Sequence, residues 1–208
     1  MDNYEVSRDR AQKYFLNFDQ QAIIDRWGLH SDADYLYLTF VCRPYRICRK
    51  TGCVERLHDG MQADFSEVLS IFDLLCHKGE DQFLTGKYAP VNSLRGCPVT
   101  VGVNAEFHGK SARYFDDNPE LVKTACIALG GTAVSMGDIG FVLPIFDRMN
   151  VILKFYHSDE DFPASITFLW DENTLQFLFY ETVFYIAGYL LTRISEEMRK
   201  AESEEREL

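Results

Sequence analysis

Positive charge is what this chain is short of. Its 208 residues carry 21 Lys and Arg against 32 Asp and Glu, a formal net charge of −11. A field of that sign repels nucleic-acid phosphates and anionic membrane surfaces, so neither is expected as a partner. Long apolar runs are missing as well, and none approaches the roughly 20 residues that span a bilayer. The opening MDNYEVSRDRAQKYF has no basic lead followed by an apolar segment, so no secretory signal is read there and the cytosol is the expected compartment. Catalytic signatures are equally scarce: there is no nucleophile elbow, no His-Glu-x-x-His and no dinucleotide fingerprint. Gly109-Lys110-Ser111 matches the end of a phosphate-binding loop, but Gly102 stands too far upstream to complete its cradle. No repeat, low-complexity linker or break in composition divides the chain, so a single domain over 1–208 is expected.

What is present is apolar and aromatic. Forty-seven per cent of residues are hydrophobic, with 16 Phe and 11 Tyr, enough for one bulky core. Apolar spacing predicts a helix over 4–18, and Asp19 caps a short second helix that Gly28 ends. From Tyr35 the pattern alternates and is β-branched, giving three antiparallel strands near 35–42, 45–49 and 53–57, interrupted at Arg43-Pro44. Asp64 and Glu67 have the spacing of a capping box for a helix closed by Gly79. A short helix is read near Val91–Leu94, and Pro98–Val103 as strand or extended loop. Asn118-Pro119-Glu120 opens a helix that Gly130-Gly131 stops. Strands near 139–146, 150–157 and 164–170 follow, joined by short turns and therefore antiparallel. A long helix runs from about Tyr180, and its acidic end, 202–208, is expected to fray. The fold class is α+β: antiparallel sheet with packed helices and a long C-terminal helix.

Three constellations could carry chemistry, each with a plainer reading beside it. Asp159-Glu160-Asp161, together with Asp138, His157, Asp171 and Glu181, offers hard oxygen ligands for Mg²⁺ or Ca²⁺, or an acid of raised pKa. The plainer reading is a β-turn and a helix cap, with Phe162-Pro163 anchoring the turn. Arg43, Arg46, Arg49, Lys50 and Arg56 stand against only Glu55, a positive patch suited to a carboxylate or phosphate. The alternative is a set of edge-strand charges that oppose aggregation. Cys42, Cys48 and Cys53, with His30 and His58, form the third. A turn at 49–52 sets Cys48 opposite Cys53, but the C-x5-C-x4-C spacing is not that of a zinc knuckle, so these read as unpaired thiols. Cys76 and Cys126 occupy core positions of predicted helices.

Gly137-Asp138 before a strand carrying Pro144, the run Asp159–Pro163, the pair Trp170-Asp171 and Glu181 opening the last helix together resemble the bacterial and archaeal family known as domain of unknown function 3786. The likeness is closest over about residues 105–194. The family has Leu-Pro-Thr where this chain has Phe179-Tyr180, and some relatives carry a cysteine-rich iron–sulfur segment that has no counterpart here. The resemblance implies an anaerobe-type metabolism and names no reaction, and the cofactor is unknown. The residues lead to a binding or accessory module for a small anionic ligand, cofactor or protein partner. The alternatives are a metal-assisted hydrolase or acid–base enzyme using the 157–171 carboxylates, and a structural homodimer.

Overall fold

A computed structural model of the chain describes residues 3–80, 82–98 and 108–207. The chain folds into two compact units, Met1–Gln82 with Gln176–Ile186, and Phe83–Leu175 with Ala187–Leu208.

The first unit contains α1 (Asn3–Leu16), α2 (Gln20–Trp27), β1 (His30–Ser31), β2 (Tyr35–Phe40), β3 (Arg43–Cys48), β4 (Val54–Arg56) and α3 (Phe65–Cys76). The Asp19 carboxylate accepts the Gln21 and Ala22 amides to start α2, and Gly28 at φ 62° ends it. The strands pair antiparallel in the order β1-β2-β3-β4. Alternation puts Leu36, Leu38 and Phe40 of β2, and Arg43, Tyr45 and Ile47 of β3, on buried sides. Phe15 stacks on Phe72 with ring centroids 4.9 Å apart, while Ile71, Leu74 and Leu75 are fully buried. Each such side chain contributes about 1.5–3 kcal/mol on removal from water.

Two details differ from the sequence reading. β2 stops at Phe40, and a two-residue turn at Val41-Cys42 reverses the chain with both residues at positive φ, 45° and 56°. Such turns favour Asn-Gly, so nothing in Val-Cys announces one. Burial of Val41 holds the strained backbone in place. The capping box at Asp64 and Glu67 forms as expected, but α3 ends at Cys76 with His77 extended. Gly79 is no helix stop; a Cβ there would collide with the Gln176 carbonyl, so close backbone approach demands glycine.

The second unit contains β5 (Tyr88–Pro90), a 3₁₀ turn at Val91–Ser93, α4 (Gly109–Asp117), α5 (Pro119–Ala128), β6 (Thr132–Ala133), β7 (Ile139–Phe146), β8 (Met149–Tyr156) and β9 (Ser165–Asp171). These strands pair antiparallel in the order β6-β7-β8-β9-β5. Burial is continuous over Ile139–Phe141 and Val151–Leu153, so both faces of the sheet centre are covered. α4 lies against β9 and α5 against β7. Gly130 at φ 73° and the Gly131 amide bonded to the Cys126 carbonyl stop α5. Asn118 does not cap α5 with its side chain; its amide turns back to the Tyr114 carbonyl, 2.9 Å away. The segment expected beyond Pro98 lies outside the described residues.

The last element, α6 (Tyr180–Glu207), contributes Tyr180–Ile186 to the first unit and the rest to the second. It remains helical through the acidic end to Glu207, where Lys200–Glu197 and Arg206–Glu202 pairs add support at helical spacing. The α+β class with antiparallel strands, packed helices and a long C-terminal helix is what the structure shows. Among the described residues no helix is long and apolar enough to cross a membrane.

Candidate functional site

The cations gathered on the β3–β4 hairpin are each engaged within the first unit. Arg46 forks onto Glu55 at 2.7 Å and lies over the Tyr35 ring. Arg49 donates to Gln20 Oε1 and to the Asp32 carbonyl, and Lys50 pairs with Asp34 at 2.9 Å. Arg43 and Arg56 turn inward instead, because Arg43 shares a β3 face with Tyr45 and Ile47, and Arg56 stands opposite Tyr45 in register. Both reach Glu67, which has no solvent exposure. Its carboxylate accepts from Arg56 Nε and Nη2, from the Tyr45 hydroxyl at 2.5 Å and from the Asp64 amide at 2.7 Å. The patch that the sequence assembles is thus largely compensated by internal acceptors.

The acidic residues separate along the fold. Asp159 accepts the Asp161 and Phe162 amides, and its own amide donates to the Phe162 carbonyl, so it closes its own turn. Phe162 does not anchor that turn by packing, since it is 70% exposed. Glu160 and Asp161 are exposed. Asp171 sits at the far end of β9, about 20 Å away at strand rise. It is buried and accepts from the Thr85 hydroxyl and the Gly86 and Asn173 amides, which pins the chain ahead of β5. Glu181 is exposed on the first turn of α6, in the first unit. Among the described residues no group of three or more His, Cys, Asp or Glu is arranged to hold a metal ion.

Two of the predicted residues do meet. The Asp138 carboxylate accepts the His157 amide at 2.8 Å, while the His157 ring Nδ1 stands 2.7 Å from Asp116 of α4. With Asp116 as acceptor, Nδ1 carries the proton and Nε2 is left as the basic nitrogen. Ser158 donates to Asp116 rather than to the imidazole, so it is not poised as a nucleophile for this base. The Ser158 hydroxyl, and then His157, hold the Asp116 carboxyl below the ordinary aspartate range.

A concave feature of the second unit lies at the other end of α4. An open cleft of about 370 Å³ is lined by Ser111 of α4 and by Gly188, Leu191, Thr192, Ser195 and Arg199 of α6. Gly188, Thr192, Ser195 and Arg199 recur at helical spacing and form one polar stripe, with open space where a Gly188 side chain would stand. The Thr192 and Ser195 hydroxyls donate back to the Gly188 and Leu191 carbonyls, leaving their lone pairs outward. Arg199 uses only Nε internally, on the Ser195 carbonyl at 3.2 Å, and no carboxylate among the described residues pairs with it. Ser111 belongs to the first turn of α4, whose N-cap His108 gives no side-chain cap. The first turn of an α-helix presents amides that suit an acceptor.

The model of a family described as Domain of unknown function (DUF3786) matches residues 19–193, most of the chain. The chain belongs to DUF3786. No curated protein and no solved structure matches it. Four of the residues that carry the likeness to DUF3786, Gly137, Asp138, Asp159 and Asp171, hold turns and strand ends here. Gly137, at φ 69°, has the Phe155 carbonyl where a Cβ would stand, and Asp138, Asp159 and Asp171 spend their carboxylates on backbone amides. In this DUF3786 member the sequence gives no sign of Asp116 as a partner of His157, or of Glu67 as more than a helix cap, and the stripe Thr192, Ser195 and Arg199 was also passed over. Only the last had a readable signal: polar residues at i, i+3 and i+7 beside an apolar helix face.

Proposed function

We propose that the protein is a binding module for a small anionic ligand, a carboxylate or phosphate, taken up in the cleft between α4 and α6. The observation that carries this reading is Arg199: in a chain of net charge −11, its guanidinium opens onto a cleft where, among the described residues, no carboxylate pairs with it. A planar fork of donors is suited to a carboxylate or phosphate. The first turn of α4, to which Ser111 belongs, offers amide donors of the kind that bind anions. A volume of about 370 Å³ suits a metabolite-sized molecule.

Native mass spectrometry of the purified chain tests this. The expected result is a small-molecule adduct that disappears on denaturation and is missing from Arg199→Glu. Identical spectra for the two proteins would overturn the assignment of the ligand to this cleft.

A further inference from the structure

We propose that Cys48 and Cys53 form a thiol–disulfide exchange site on the β3–β4 hairpin, open to low-molecular-weight disulfides such as oxidised glutathione. The register Arg46↔Glu55 and Ile47↔Val54 continues to Cys48 opposite Cys53, where the Cys48 amide donates to the Cys53 carbonyl at 2.9 Å. A second bond, Gly52 amide to Cys48 carbonyl at 2.8 Å, closes the loop between them. Side chains alternate along a strand, so Cys48 and Cys53 project on the face where Arg46 and Glu55 meet at 2.7 Å. Residues directly opposite one another have Cα atoms about 4.5–5.5 Å apart. A disulfide needs about 4.4–6.8 Å. The backbone pairing therefore sets the two Cα atoms at a separation that a disulfide can bridge.

The environment divides their roles. Both thiols are partly accessible, whereas burial pushes Cys76 and Cys126 up to about 12 and leaves them inert. The Thr51 side chain lowers the Cys48 thiol, against partial burial and with help from nearby amides and Lys50. Burial raises Cys53. Cys48 is thus the attacking thiolate and Cys53 the resolving thiol. Cys48 sulfur attacks one sulfur of oxidised glutathione, the S–S bond breaks, and a glutathione thiolate leaves. Cys53 then loses its proton, attacks the Cys48 sulfur of the mixed disulfide and expels the second glutathione. Two protein thiols are oxidised, one glutathione disulfide is reduced, and the two protons released end on the two glutathione thiols.

The test treats the full chain with oxidised glutathione, alkylates the remaining thiols and maps tryptic peptides without reductant. Arg49 and Lys50 lie between the two cysteines, so a Cys48–Cys53 bond joins two separate peptides. The expected product is that linked pair, free of glutathione and reversed by dithiothreitol. Cys53→Ser should trap glutathione on Cys48, and Cys48→Ser should slow reaction at Cys53 about tenfold. A wild-type protein that keeps glutathione on Cys48, with Cys53 still open to alkylation, would overturn the proposal. So would oxidation confined to the exposed Cys42.

Discussion

Glu67→Gln should unfold the first unit far more readily than any exposed charge change. The carboxylate is fully buried and collects Arg56, the Tyr45 hydroxyl and the Asp64 amide, with Arg43 at 3.9 Å. Removing its charge takes the closest carboxylate from two guanidinium groups whose side chains are only 18% and 10% exposed, with Asp59 and Asp64 remaining 3.8 Å from Arg56. Breaking a buried pair by deleting one partner costs about 3–5 kcal/mol, because the remaining charge stays desolvated. At about 2–4 °C per kcal/mol for a chain of this size, the melting midpoint should fall by roughly 6–20 °C. Trp27 lies in the first unit and Trp170 in the second, so a Trp170→Phe background makes tryptophan fluorescence in urea a reporter of the first unit alone. Arg46→Ala is the control: the Arg46–Glu55 side chains are 37% and 27% exposed, and their loss should cost about 1 kcal/mol or less. A Glu67→Gln cost as small as the control's would refute the reasoning, since it would mean that solvent screens the buried cluster as it does a surface pair.

Cys42→Gly should stabilise the chain by about 0.5–1 kcal/mol, because the left-handed turn costs a non-glycine residue more than glycine's added chain entropy; a lower urea midpoint would contradict this. Asp116→Asn tests the second unit by pH. The Asp116 carboxyl is depressed in the folded state, so its contribution is present above the unfolded value of about 3.9 and lost as pH falls through the lower folded value. The gap in stability between wild type and Asp116→Asn should be constant near neutrality and close in acid. A gap that ignores pH would mean the carboxylate is not what the Ser158 and His157 contacts stabilise.

The three long strands of the second unit were legible because each is a β-branched run bounded by turn residues, and the observed limits lie within one residue of those read. The caps at Asp19 and Asp64 were legible for the same local reason. The turn at Val41-Cys42 was not, since tertiary burial rather than turn chemistry holds it. Sites were harder. Asp159 to Asp171 is one acidic neighbourhood in sequence, but a strand of seven residues carries its two ends apart. Glu67 was visible as a cap, while its second role depends on β3 and β4 delivering Arg43 and Arg56 to the same point. Arg199 was overlooked because attention to the apolar stripe of α6 hides the polar one beside it.

The measurement that bears most directly on the cleft is a titration of the ¹⁵N-labelled chain with inorganic phosphate and, separately, acetate, followed by amide chemical shifts. Saturable changes confined to residues 109–112 and 188–199, and lost in Arg199→Glu, are what a binding module with this site predicts. Saturable changes centred on the Arg43–Arg56 hairpin, or none in the cleft with either anion, would contradict it.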